Sequence, residues 1–168
     1  MKPPDPETQH VERNSERARS LFLQLADKYA LKLEWDETSP VELAATLPQQ
    51  PGLDWSLWLC LQNNDELWIS GGFFTFSWFP VEDAKVEAEF AEALDGILSG
   101  RFQLRCVYGS LGQSPCRVEL ETGAFDKGPS LASYGFGPIF FRFGGAEVIL
   151  RNGHPTIKTG RAVKLPLP

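Results

Sequence analysis

From Trp55 to Gln62 apolar residues recur at every second position. Leu57, Leu59 and Leu61 fall on one side, and Trp58 and Cys60 on the other. Period two marks a strand with one face turned to a core. Asn63-Asn64-Asp65 follows, a cluster that favours turns and tolerates positive φ. Strand-like residues resume from Glu66 to Ser70. Loop length decides how the two strands meet. A two-residue loop would set Leu59 opposite Trp68 and mix the faces. A three-residue loop pairs Leu61 with Leu67, Leu59 with Ile69 and Cys60 with Trp68, keeping both faces uniform. Asn64 or Asp65 is expected in the left-handed position.

Gly71-Gly72 reads as a bulge or tight bend. Phe73 to Phe79 is then a third strand, with Phe74, Phe76 and Trp78 on one side. Parity predicts an aromatic face of Trp58, Trp68, Phe74, Phe76 and Trp78, opposite Leu57, Leu59, Leu61, Leu67 and Ile69. Pro80 ends the strand. Glu82 and Asp83 suit the positive end of a helix. Val86, Phe90, Ala93, Leu94 and Ile97 recur at helical spacing, and Gly100 fits the stop.

The flanks extend the pattern. A first helix is expected from about Glu7 to Ala30, with Ala18, Leu21, Phe22, Leu25, Ala26 and Tyr29 on one stripe. Leu31 to Trp35 suits a short strand. Pro40 to Leu47 suits a brief helix capped by Ser39. Arg101 to Tyr108 and Cys116 to Glu121 both alternate. Pairing 102 with 120 would set Arg101 against Glu121, Gln103 against Glu119 and Cys106 against Cys116. Gly123 to Pro138 reads as the longest loop. Ile139 to Phe143 and Ala146 to Arg151 suggest a last hairpin around Gly144-Gly145. Residues 1–6 read as a flexible tail and 152–168 as an extended basic one.

The fold expected is α+β: an antiparallel sheet of about six strands, with two main helices packed mostly on one face. Residues 1–168 form one domain. The order helix, three strands, helix, strands is similar to that of small secretion-chaperone and related stress-protein folds. No sequence motif is shared, and the basic tail stands where a last helix would be expected.

Charge narrows the partners. The chain of 168 residues carries 16 basic and 22 acidic side chains, net −6, which argues against nucleic acid as a partner. Residues 151–168 hold Arg151, Lys158, Arg161 and Lys164 and no acid, which reads as intramolecular docking or solubility. Three cysteines without zinc-type spacing suggest reduced thiols. With no apolar leader and no apolar run long enough to span a bilayer, the expected location is cytoplasmic, away from membranes.

Candidate chemistry is sparse. His10 and His154 have no ligands at metal spacing, so no metal is expected. No nucleophile elbow, zinc-protease helix, phosphate loop or dinucleotide fingerprint occurs, so no cofactor is expected either. Glu119 and Glu121 share a strand face as a glycosidase pair would. Arginines opposite them favour plain surface ion pairs. The aromatic set remains. It points to a non-enzymatic cytosolic protein-binding domain, immunity- or chaperone-like. Such a domain would engage a protein partner, or a second copy, through Trp58, Trp68, Phe74, Phe76 and Trp78. The alternative is a small-molecule-binding domain or enzyme, with a pocket between sheet and helix closed by residues 123–138.

Overall fold

The computed structural model describes residues 6–108, 115–122, 130–135 and 146–159. The element order is α1 (Pro6–Lys28), β1 (Glu34–Trp35), β2 (Leu43–Leu47), β3 (Leu57–Gln62), β4 (Glu66–Gly71) and β5 (Phe74–Trp78). Then come α2 (Ala84–Leu98), β6 (Phe102–Tyr108), β7 (Pro115–Thr122), β8 (Ser130–Gly135), β9 (Glu147–Leu150) and β10 (Ile157–Thr159). The fold is α+β. Its strands form two antiparallel five-stranded sheets rather than one sheet of about six, ordered β1-β2-β3-β4-β5 and β10-β9-β6-β7-β8.

Both helices lie on the same side. α1 covers β2 and β3, α2 covers β5 and β6, and the helices touch each other. Leu21, Phe22 and Leu25 of α1 and Phe90, Leu94 and Ile97 of α2 join the core. Phe22 and Phe90 bring their rings to 5.8 Å, and Phe90 stands edge-on to Trp78 at 5.4 Å. Each large apolar side chain buried this way contributes roughly 1.5–3 kcal/mol. Asp83 caps α2 by accepting the N–H of Lys85 at 2.8 Å. Gly100, at φ 67°, stops the chain just beyond the helix. A Cβ on Gly96 would meet the Phe102 ring at 2.1 Å, so this glycine lets β6 pack close under α2.

The leucine hairpin has the expected register: Leu61 pairs with Leu67, Leu59 with Ile69 and Cys60 with Trp68. Asn63 and Asn64 take positive φ at the turn, and Asp65 does not. The buried Asn14 of α1 donates to the Asn64 carbonyl at 2.9 Å, and Val81 N–H donates to the Asp65 carbonyl at 2.7 Å. The turn is therefore held by α1 and by the segment that leads into α2.

Several expectations are corrected. Residues 43–47 form a strand, not a short helix. Leu43, Ala45 and Leu47 pair with Leu61, Leu59 and Leu57, so alternation outweighs the capping signal at Ser39. In the second sheet Phe102 pairs with Thr122 and Leu104 with Leu120, two residues from the expected register. The shift preserves parity, so the buried face is unchanged. It sets Arg105 against Glu119, and Cys106 against Val118 rather than Cys116. Residues 130–135, inside the expected long loop, pair with β7 as a strand. The expected Gly144-Gly145 turn lies outside the described residues, and β9 pairs with β6 and β10.

The basic tail is anchored at its start. Asn152 is buried, and residues 157–159 pair with β9. Residues 1–5 and 160–168 of the expected tails lie outside the described residues. Among the described residues, no helix is long and apolar enough to cross a membrane.

Candidate functional site

The five aromatics do not share a face. Gly72 and Phe73 make a two-residue turn, so Gly71 pairs with Phe74, Ile69 with Phe76 and Leu67 with Trp78. An even-length turn pairs odd positions with even ones, which moves Phe74, Phe76 and Trp78 to the leucine side. All three are buried under the helices. The aromatic face therefore divides: three rings build the core, and only Trp58 and Trp68 remain on the outer side of the first sheet.

On that outer side the two indoles straddle Cys60. Trp68 is its cross-strand partner, Trp58 stands two positions before it, and Ala44 opposes it from β2. Cys60 is fully buried although neither described helix lies on this side. Its neighbours on this face are Trp58, Trp68 and Ala44. Burial, and then the carboxylates of Glu42 and Glu66, push the Cys60 thiol up to about 12, so it is no nucleophile. The ring N–H of Trp68 is turned away from solvent and has no acceptor among the described residues. Both tryptophans keep part of their surface exposed, and Thr46, Gln62, Ser70, Thr75 and Ser77 surround them on the outer side.

The outer side of the second sheet is charged. Arg105 lies within 3.0 Å of Glu119, 3.8 Å of Glu121 and 2.5 Å of Glu147. Arg117 also reaches Glu119, at 2.5 Å, and Gln103 donates to Glu121 at 3.0 Å. Glu119 and Glu121 are ion-paired as expected, but they are 7% and 5% exposed rather than solvated. Sequence reading missed this because alternation alone marks their face as polar. Hydrogen bonding to Glu147, against the cost of burial, raises the already high pKa of Arg105.

A cavity of about 320 Å³ opens here, lined by Arg105, Val107, Cys116, Arg117, Glu119 and Glu147. A smaller one of about 180 Å³ lies along the same face, beside Gln103, Ile149, Arg151, His154, Pro155 and Ile157. Both are on the side away from the helices; residues 123–129 and 136–138, expected to close a pocket between sheet and helix, lie outside the described residues. The Cys116 thiol donates to the Val107 carbonyl at 3.2 Å. Cys60, Cys106 and Cys116 form no disulfide, and burial pushes the Cys106 thiol up to about 12. Among the described residues no group of three or more His, Cys, Asp or Glu side chains is arranged to hold a metal.

Comparison with known proteins adds no relative: no family model, curated protein or solved structure matches this chain.

Proposed function

We propose that the chain is a non-enzymatic protein-binding domain. Its docking surface is the outer side of the first sheet, centred on Trp58 and Trp68. The observation that supports this is the asymmetry of β1 to β5. One side is sealed by two helices, while the other carries two part-exposed tryptophans on neighbouring strands with nothing described above them. Tryptophan is favoured in protein contacts because it buries a large area at little conformational cost. Small hydroxyl side chains around it leave the strand surface flat enough for a broad contact.

A second reading rests on the 320 Å³ cavity of the second sheet, which has the size of a small-molecule site. It is the weaker one. Each guanidinium there already meets a carboxylate, so a ligand would have to displace existing pairs.

The test is photo-crosslinking in a lysate of the source organism. A diazirine amino acid replaces Ser70, beside Trp58 on the outer side, or Gln24, on the exposed side of α1. A discrete polypeptide, or a second copy of the chain, captured from position 70 and not from 24 supports the docking surface. Equal capture from both positions, or none from 70, rejects it.

A further inference from the structure

We infer that the partner of this face is a basic protein segment, whose lysine or arginine side chains stack on Trp58 and Trp68 and pair with Glu42 and Glu66. The inference rests on the reading of this face as a docking surface and adds the chemistry of what docks.

Charge complementarity carries it. No lysine or arginine occupies an outward position of β1 to β5. Carboxylates do. Glu34 stands outward beside Thr46, and Lys32 at the sheet edge neutralises it at 2.6 Å. Glu66 stands outward opposite Gln62, and Glu42 continues the outward parity of Ala44. Both are close enough to act on the Cys60 thiol between the tryptophans. Neither has an ion-pair partner among the described residues; Glu66 only accepts a long 3.4 Å hydrogen bond from the Asn63 amide.

Elsewhere, Glu82, Glu87, Glu92, Asp95, Glu119 and Glu147 each meet a lysine or arginine. Glu12 and Glu16 of α1, like Glu42 and Glu66, have no ion pair among the described residues; what distinguishes Glu42 and Glu66 is their place beside two part-exposed tryptophans. An indole face attracts a guanidinium or ammonium through its quadrupole, and a nearby carboxylate adds a charge-assisted hydrogen bond. A neutral apolar partner would instead bury Glu42 and Glu66 unpaired, which is unfavourable. An acidic one would meet like charge.

Octa-arginine, octa-glutamate and a glycine–serine octapeptide serve as probes in calorimetric titration. Octa-arginine should bind and the other two should not. The Glu42→Gln/Glu66→Gln double variant keeps the side-chain shapes and should weaken octa-arginine about tenfold. Trp68→Ala should weaken it comparably, with Trp68→Phe recovering most of the loss. Glu12→Gln/Glu16→Gln removes the same charge from the exposed side of α1 and should change affinity less than twofold. Equal weakening by the two double variants would mean that only net charge is read, and would overturn the proposal. So would absence of octa-arginine binding. If position 70 nonetheless crosslinks a neutral or acidic polypeptide, the docking surface stands and the basic partner does not.

Discussion

Asn152 and Asp54 hold each other reciprocally. The Asn152 side-chain carbonyl accepts the Asp54 backbone N–H at 2.9 Å, and the Asp54 carboxylate accepts the N–H of Gly153, the residue after Asn152, at 2.6 Å. The Asn152 amide also donates to the carbonyls of Gly52 at 2.8 Å and Leu98 at 2.6 Å. One buried side chain thus ties the β9–β10 turn to the end of α2 and to the segment that leads into β3. Arg151 adds a hydrogen bond to the Gly100 carbonyl.

Asn152→Ala should therefore destabilise the protein by about 2–3 kcal/mol, because it leaves buried backbone groups without partners. Asn152→Asp should cost at least as much, since it removes the donor to two carbonyls. Urea unfolding followed by circular dichroism measures both. A loss below about 0.5 kcal/mol for either would show that water satisfies the freed groups.

Asp95 joins α1, α2 and the start of β6. It accepts from Lys28, from the Tyr29 hydroxyl at 2.7 Å and from Arg101 at 3.1 Å. Burial works against its charge, but hydrogen bonds from Lys28, Tyr29 and Arg101 outweigh it, and its pKa falls below the ordinary aspartate value. A lowered carboxylate pKa adds stability above the unfolded-state value, and that stability is lost as pH falls through the folded one. Asp95→Asn should be less stable than wild type by about 1–2 kcal/mol at pH 7. The gap should close below about pH 4. A gap independent of pH would contradict the charge account.

The division of the aromatics predicts opposite mutational behaviour. Phe76→Ala empties a core site 2% exposed and should cost about 3–5 kcal/mol. Trp68→Ala should cost much less, but it uncovers Cys60. Timed alkylation should show Cys116 reacting first in the wild-type protein, with Cys60 and Cys106 protected. In Trp68→Ala the rate at Cys60 should rise at least tenfold while Cys106 stays protected. An unchanged Cys60 rate would show that something other than Trp68 covers the thiol.

Arg105 is the counter-charge for two carboxylates that are nearly excluded from water. Arg105→Met leaves buried Glu121 without a counter-charge, while Glu119 keeps Arg117, and should destabilise by about 3 kcal/mol at neutral pH. Glu147 is more exposed, and Glu147→Gln should cost under about 1 kcal/mol. Thermal denaturation of the two variants side by side checks the order.

Much of the first half of the fold was legible in the sequence. Both helices, the leucine hairpin and its register follow from period, turn chemistry and the need to keep Leu59 and Ile69 on one face. The failures have separate physical causes. The Gly72-Phe73 turn changes which parity faces the helices, and a glycine pair does not announce whether it adds an even or an odd number of residues. The second sheet slipped by two because a shift of two leaves every residue on its own face, so patterning cannot detect it. Ser39-Pro40 resembled a helix start, yet pairing of Leu43, Ala45 and Leu47 with the β3 leucines decided the segment. The candidate site was visible only in part. Parity placed Trp58 and Trp68 opposite the leucines without deciding which face the helices cover, while the bracketing of Arg105 by three glutamates depends on strand neighbours that local sequence does not reveal.

Residue-resolved tryptophan modification tests the docking surface most directly. The free protein is treated with 2-hydroxy-5-nitrobenzyl bromide, and labelling at each of Trp35, Trp55, Trp58, Trp68 and Trp78 is read by peptide mass spectrometry. Trp58 and Trp68 should label, whereas Trp55 and Trp78, 7% and 8% exposed, should resist. Adding the polypeptide captured from position 70 should then protect Trp58 and Trp68 and leave Trp35 unchanged. Labelling of Trp78 as fast as Trp58 would contradict the division of the two faces. Protection that falls on Trp35 and spares Trp58 and Trp68 would place the partner elsewhere on the molecule.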